Sequence, residues 1–436
     1  MKIPEPDSIS YEDSSRQNFL PGKCVDPETG KLITNPETSV IFEPIRVMKG
    51  AVVRSLNGEA FQIHYYSERI RDELIHTYTY DEESVYTYYL PDKSTDPFSS
   101  GPVMIREDGF IRIVLEGRTN ADFTEKIRIS ENPPIQFTLT EEQAVLHRKI
   151  TDAVEQRREK SDALFLLLTD THYGTGSNFE QTAFLLENIA NDLSPDMLIH
   201  LGDLTDGSLP REWTKKYALR VIRSLKKICD PCFILIGNHD YNYFRNNPDR
   251  FTQKECEELY LDGHSENRIF DLKDKQIRLI FLNSFDPEAE HRYGFSMSTI
   301  VFLIKALAAS PKSYRIIVLS HVPPLGEIHY WDRNIRHSNL IISVLECFRK
   351  TRNNGLVYIH GHNHCDQIYL DKSFPIIGIG PSKVEDFQDK KPEGSVTPFR
   401  DQYGGSSVLF DIMLVKEKEL LFFRYGTGED RSVCLK

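Results

Sequence analysis

The chain has no run that approaches the roughly 18 apolar residues of a membrane-crossing helix. Its start, MKIPEPDSISYEDSS, lacks the apolar stretch of a secretory leader. The expectation is therefore a cytoplasmic location with no membrane partner. Cysteine is scarce: seven residues, scattered and odd in number, the usage of a reduced protein and not of a disulfide framework. Cys229-Asp230-Pro231-Cys232 is formally a C-x-x-C, but it lies in a short loop entering an apolar run and reads as ordinary loop and strand-edge cysteine. Positive charge is not in excess. Lys and Arg number 53 against 65 Asp and Glu, for a formal net charge of −12. Such a surface argues against broad binding to nucleic acid or anionic membrane. It does not exclude a phosphate ester, because divalent cations set the local field of a site that holds them. Internal repeats and low-complexity tracts are also missing.

What is present is an ordinary globular composition, 39% hydrophobic and 27% charged, spread over 436 residues. That length favours two or three domains. Residues 1–20 form a polar N-terminal segment. From 21 to 137 there is no helical periodicity, only short alternating runs such as Phe61-Gln62-Ile63-His64-Tyr65 and Phe110–Leu115, broken by turns at Asp26–Gly30 and Glu107-Asp108-Gly109. Several short strands at this spacing predict an all-β sandwich or jelly roll. The pattern resembles small accessory jelly-roll modules, including carbohydrate-binding ones. Tyr65, Tyr66, Tyr78, Tyr80, Tyr86, Tyr88 and Tyr89 then read either as a sugar-stacking platform or as a strand face with hydroxyls at its rim. Residues 138–160 predict a linker helix, opened by the capping box Thr140-Glu141-Glu142-Gln143, with Leu146, Ile150, Ala153 and Val154 on one face. Beyond 161 strands alternate with helices to the end of the chain. The strand candidates are 164–169, 197–201, 232–236, 276–283, 314–320, 355–360, 374–379, 407–415 and 419–425. The helix candidates are 179–192, 211–227, 298–309 and 337–351. The last three strands read as an antiparallel return.

Five of the apolar runs end in residues that bind metals. Asp170-Thr171-His172 follows LFLLL, Gly202-Asp203 follows MLIHL, and Gly237-Asn238-His239-Asp240 follows CFILI. His321 closes YRIIVLS, and Gly361-His362-Asn363-His364 closes LVYIH. Such runs are buried strands, so these side chains stand on loops at the carboxyl edge of a sheet, where open α/β folds hold ligands. Oxygen and imidazole donors without thiolate suit Mn, Fe or Zn and not Ca. The glycines let the backbone turn where a side chain would crowd an ion.

In this order and context the five motifs resemble the calcineurin-like metallophosphoesterase superfamily. The resemblance implies an α/β domain over 161–436, two mixed sheets packed together with helices outside. It implies two divalent ions, with Asp203 as the shared bridge. Asp170, His172 and His364 would complete one site, and Asn238, His321 and His362 the other. It further implies in-line attack on phosphorus by a hydroxide bridging the ions, with His239 as general acid. Asp240 or a nearby acid would orient the His239 ring and raise its pKa. Gly202-Asp203-Leu204-Thr205-Asp206 lacks the tyrosine that purple acid phosphatases carry after the bridging Asp, which points to the divalent branch. Asp206 reads as a turn or helix cap, or as a carboxylate behind a ligand. His200 and His360, inside strands, read as core; His264, His291, His329 and His337 read as surface.

Substrate selection falls to loops above the metals. Candidates are Tyr241 and Arg245 in the loop after the Asn-His-Asp motif, and Tyr330 and Trp331 in the loop after His321; Ser284-Phe285-Asp286 and His291-Arg292-Tyr293 form a third. Trp331 also suits a domain interface. The expected function is hydrolysis of a phosphomonoester or phosphodiester of a small molecule. The alternatives are a nuclease of the same superfamily, against which the charge argues, and a non-catalytic glycan- or partner-binding protein that keeps the fold.

Overall fold

Ala163–Leu168 is buried at every residue, as a strand covered on both faces must be. Among the described residues it is one of twelve strands in the second of two compact units, Met1–Thr138 and Leu139–Lys436. The computed structural model describes residues 18–26, 32–41, 44–47, 50–67, 103–105, 109–130, 137–173, 179–207, 211–243, 247–289, 292–329, 333–383 and 408–435. Tyr78, Tyr80, Tyr86, Tyr88 and Tyr89 fall outside these residues, as do Arg245, His291, Tyr330 and Trp331.

The first unit is strand-rich. Strands β1 (Phe19–Val25), β2 (Leu32–Ile41), β3 (Ile45–Val47), β5 (Phe61–Ser67) and β7 (Gly109–Glu116) make one antiparallel sheet around β7. Strands β4 (Val52–Ser55), β6 (Val103–Met104) and β8 (Ile127–Ser130) make a smaller one. Alternate residues of β5 and β7, Phe61, Ile63, Ile111, Ile113 and Leu115, share one apolar core with Val53 and Ile127 of the smaller sheet. The other face of that pair sets His64 opposite Arg112, and both are buried. Burial first, and then the Arg112 guanidinium, pushes His64 down to about 4. A histidine neutral in the fold but protonated when unfolded, below about pH 6.5, withdraws stability as pH falls from there towards 4. In thermal denaturation of the full chain at pH 7 and pH 5, the wild type is expected to lose more stability on acidification than His64→Gln. An equal loss in both would remove His64 from the account.

The second unit opens with a helix, α1 (Glu141–Arg157), whose buried face is Gln143, His147, Ile150 and Val154. Its capping box is complete: Gln143 N donates to Thr140 Oγ1 at 3.2 Å, and Thr140 N to Gln143 Oε1 at 3.0 Å. Two six-stranded sheets follow. In the first, β11 (Cys232–Ile234), β10 (Met197–His200) and β9 (Ala163–Leu168) run parallel, then β18 (Leu409–Val415), β19 (Glu419–Gly426) and β20 (Arg431–Cys434) run antiparallel. In the second, β13 (Ile277–Phe281), β14 (Arg315–Ser320), β15 (Leu356–His360) and β17 (Ile376–Gly378) run parallel, edged by antiparallel β12 (Arg268–Leu272) and β16 (Gln367–Tyr369). One apolar cluster takes Phe165, Leu167 and Ile199 from the first sheet and Leu279, Ile317, Leu319 and Ile359 from the second, so the sheets face each other. Helices α2 (Phe179–Leu193), α3 (Arg211–Ile228), α4 (Gln253–Tyr260), α5 (Met297–Ala308) and α6 (Ser338–Thr351) complete the unit. The fold is the mixed α/β architecture of two sheets flanked by helices.

One expectation is corrected here. Residues 376–378 do not begin the antiparallel return; they pair in parallel with β15 in the second sheet. The return is β18–β19–β20. All seven cysteines are free, and burial pushes Cys229 up to about 11 and Cys232 to about 12, away from thiolate chemistry. Among the described residues no helix is long and apolar enough to cross a membrane.

Candidate metal centre

Parallel strands collect their carboxyl ends on one side of a sheet. β9, β10 and β11 release Asp170, Asp203 and Asn238 there, and β14 and β15 release His321 and His362. Five of these loop residues have left-handed backbone: Asp170, His172, Asp203, His362 and His364, with φ between 42° and 67°. Non-glycine residues hold that conformation only where the surroundings over-determine it. Here Asp170 N donates to Gly202 O (2.9 Å), His172 N to Asp203 O (3.0 Å) and Gly361 N to His321 O (3.1 Å). His362 N donates to Asp170 Oδ2 at 3.0 Å. Two glycines stand where nothing larger fits. A Cβ on Gly237 would collide with Asp203 Oδ1, and one on Gly361 would lie 2.9 Å from Asp170 Oδ2.

The donors form two groups. Atoms of Asp170, His172, Asp203 and His364 lie within 4.8 Å of one another, and so do atoms of Asp203, His321 and His362. Asp203 belongs to both. Asn238 Oδ1 joins the second group, 3.1 Å from His321 Nε2. Nε2 of His172 and Nε2 of His364 are 3.1 Å apart; His321 Nε2 is 3.2 Å from Asp203 Oδ2 and 3.2 Å from His362 Nδ1. Asp170 Oδ1 is buried without a hydrogen bond among the described residues, 3.2 Å from His364 Nε2. Lone pairs packed this closely repel unless a proton or a cation lies between them. His321 Nδ1 stands 2.9 Å from the Leu201 carbonyl, to which it donates, so in the neutral ring Nε2 is the lone pair that faces Asp203 and Asn238. The residues fit two cations that share one carboxylate. Electrostatics agree in direction. Burial pushes the Asp203 carboxyl up, but His321 and His239 outweigh it and hold the group down at about 2. Burial pushes His321 down, and the Asp203 carboxylate outweighs that, holding it up at about 9.

Three expectations change. Asp240 does not touch the His239 ring. It is fully buried, and its carboxylate accepts from the backbone N–H of Asp203 (2.9 Å), Leu204 (2.9 Å), Thr205 (3.2 Å) and Gly237 (2.9 Å). It buckles the two loops together, and burial followed by the Asp203 charge pushes it up to about 7. The His239 ring is held by the Asp206 carbonyl, 2.5 Å from Nδ1, and stands edge-on to His172 with centroids 4.5 Å apart. Its pKa is not raised: burial pushes it down, to about 4, against the pull of Asp203. His329 is not a surface residue. It is 5% exposed and stacks on His362, centroids 4.8 Å apart and 10° between planes.

Asp206, read as a cap or a second carboxylate, places Oδ1 3.7 Å from His172 Nδ1 and 3.2 Å from Lys383 Nζ. His200 and His360 are buried in their strands; His200 Nε2 meets Thr171 Oγ1 at 2.8 Å. Of the four substrate-loop candidates, only Tyr241 is described. It is 6% exposed, its ring lies 5.0 Å from that of Phe285, and it bonds Asn283, which makes it packing beneath the loop. Residues not singled out individually stand nearer the donors: Tyr293, with its ring 5.0 Å from His362, and Tyr243, which bonds Tyr293.

Residues 163–366 match the family model described as calcineurin-like phosphoesterase. Similar solved structures include a dimetal phosphatase from Danio rerio, at 17% identity and TM-score 0.45, covering 63% of this chain and 99% of that one. GAP50 of Plasmodium is similar at 14% identity and TM-score 0.40, over 63% and 89% of the two chains. The phosphopantetheinyl hydrolase of Mycobacterium tuberculosis is similar at 12% identity and TM-score 0.32, over 56% and 99%. No curated protein matches the chain.

Proposed function

We propose that this chain, which belongs to the calcineurin-like phosphoesterase family over residues 163–366, hydrolyses a phosphate ester of a small molecule. The observation that carries the reading is the convergence of buried donors on Asp203. Asp170, His172, Asp203 and His364 would hold one divalent ion, and Asp203, Asn238, His321 and His362 the other, with Mn, Fe or Zn the metals that suit the donors. Bound there, the pair would neutralise phosphate oxygens and supply a water acidic enough to attack phosphorus near neutral pH.

The chain's own residues do the rest. His239 moves the proton. Nδ1 donates to the Asp206 carbonyl, so the ring acts as the acid once Nε2 also carries a proton, which it then gives to the departing alkoxide. Asp240, by clamping the loops of Asp203 and Asn238, fixes where that ring stands. The excess of acidic residues favours a small ester over a nucleic acid.

A panel of chromogenic phosphate mono- and diesters with Mn, Fe and Zn tests the reading. Turnover with at least one ester and metal is expected. A protein that holds two ions and turns over none would be a binding protein and not a hydrolase. His239→Ala is expected to keep its metal and to lose about 10²–10⁴ in rate on alkyl esters. The loss should be smaller on nitrophenyl esters, whose leaving group needs no proton. Equal losses on both would refute the general-acid role.

A further inference from the structure

The loop after β13 carries an arginine whose placement the metal centre does not explain. Arg292 has left-handed backbone, φ 64°, although it is not glycine. Arg292 N donates to Ala289 O (3.1 Å), and Arg292 O accepts from Asp286 N (2.8 Å). The turn is pinned further: Arg336 binds Asp286 and Glu288, and Val322 N, next to His321, donates to Ser284 Oγ. The loop is therefore tied to the strand end that presents a metal-binding histidine.

The guanidinium itself meets no acid among the described residues. Its carbon lies 4.6 Å from the centre of the Tyr243 ring. Arg278 pairs with Asp271, Arg336 with Asp286, and Arg424 with Asp366 and Asp411, whereas Arg268 also lies over rings, those of Phe233 and Phe281, but donates to the Ile234 carbonyl. In a chain with 65 acidic residues, an arginine laid on a ring keeps its planar fork of donors open. Tyr243 bonds Tyr293, whose ring lies 5.0 Å from His362 and 5.1 Å from His329. A row therefore runs from His362 through Tyr293 and Tyr243 to the guanidinium. Two rings lie along that row between Arg292 and His362, and the subsite inferred below is for a group other than the phosphate held at the ions.

We propose that Arg292, on its Tyr243 platform, is a subsite for a second oxyanion of the substrate, so that the preferred ester carries a carboxylate or a further phosphate besides the scissile one. The proposal rests on the hydrolase reading above. Guanidinium–oxyanion pairs are charge-assisted and two-pronged, and Arg is the residue for such forks.

The test uses the full, metal-loaded chain and three matched esters: propyl phosphate, 3-(phosphonooxy)propanoate and the bisphosphate of propane-1,3-diol. For the wild type, kcat/KM for at least one charged ester is expected to exceed that for propyl phosphate by about 10- to 100-fold, chiefly through KM. Which charged ester is preferred tells carboxylate from phosphate. In Arg292→Met the ratio is expected to fall close to one, and Arg292→Lys, a point charge without the fork, to recover part of it. A wild type without preference, or the same ratio in Arg292→Met, overturns the subsite. Calorimetric binding of the three esters to both proteins separates the two readings. Arg292-dependent binding without turnover sinks hydrolysis and keeps the subsite. Turnover whose ratios ignore Arg292 sinks the subsite and keeps hydrolysis. Binding ratios that also ignore Arg292 overturn the subsite whether or not turnover is seen.

Discussion

Asp203→Ala is expected to strip the protein of both divalent ions and to reduce turnover to background. The reason is geometric. Asp203 is the one residue common to both donor groups, so its loss removes a charged ligand from each site at once. It leaves His172 and His364 facing each other with a single carboxylate, Asp170, beside them, and His321 facing His362 and Asn238 with none. Alanine also meets a left-handed backbone, φ 56°, and gives up the acceptor of His239 N, which Asp203 Oδ1 holds at 2.8 Å. Asp203→Asn controls for both, since asparagine tolerates that backbone and keeps an acceptor while losing the charge. Elemental analysis after dialysis, with circular dichroism to confirm the fold, reads the result. Two ions per chain in Asp203→Ala would end the bridging assignment. Full loss in alanine with partial retention in asparagine is the pattern the geometry predicts.

Much of this was legible because the pattern of burial is simple. Ala163–Leu168, Ile277–Phe281 and Leu356–His360 are buried at every position, so they stand out as unbroken apolar runs. The polar residues at their ends are then conspicuous. Short elements with mixed faces were not legible. β12 and β16 are edge strands with exposed or half-buried positions, and α4, QKECEELY, buries only Cys256 and Tyr260. At the site, the kinds of residue at the strand ends were readable but their partners were not. The acceptor for His239 is a backbone carbonyl, which any residue supplies and no composition reveals. Asp240 follows His239 directly and so invites pairing, yet its carboxylate is taken by four backbone N–H groups across the loops. His329 lies in a loop and reads as exposed until tertiary contact stacks it on His362. Contacts of this kind depend on chain segments far apart in sequence.

Arg424→Met is expected to cost about 3–5 kcal/mol of stability, the penalty for leaving a buried charge without its partner. Arg424 is 3% exposed and lies on β19, beyond the last motif. Its Nη2 donates to Asp366 Oδ1 at 2.7 Å and its Nε to Asp411 Oδ1 at 2.9 Å, while Arg431 binds the same two carboxylates. Two guanidiniums and two carboxylates make a neutral buried set. Asp366 follows His364 by two residues and also accepts from Gly380 N at 3.0 Å, so the set ties the loop of His362 and His364 to the C-terminal hairpin. With methionine at 424, two buried carboxylates share Arg431 alone. Arg424→Met with Asp411→Asn restores neutrality and should recover much of the loss. Burial pushes Asp366 up, but Arg424 and then Arg431 outweigh it and hold its carboxyl well below the usual range. A carboxyl whose folded pKa is depressed stabilises fully above its unfolded value of about 3.9, and that stability is lost as pH falls below it. The gap between wild type and Arg424→Met should therefore be constant from pH 7 to about 5 and shrink below about 4. Because an anchoring group behind a ligand loop also sets ligand geometry, metal affinity in the variant should drop about 10- to 100-fold. Denaturant unfolding at several pH values and metal titration at pH 7 read both effects. An unchanged midpoint at pH 7 would mean that the four charges contribute nothing net, and unchanged metal binding that the hairpin does not hold the loop.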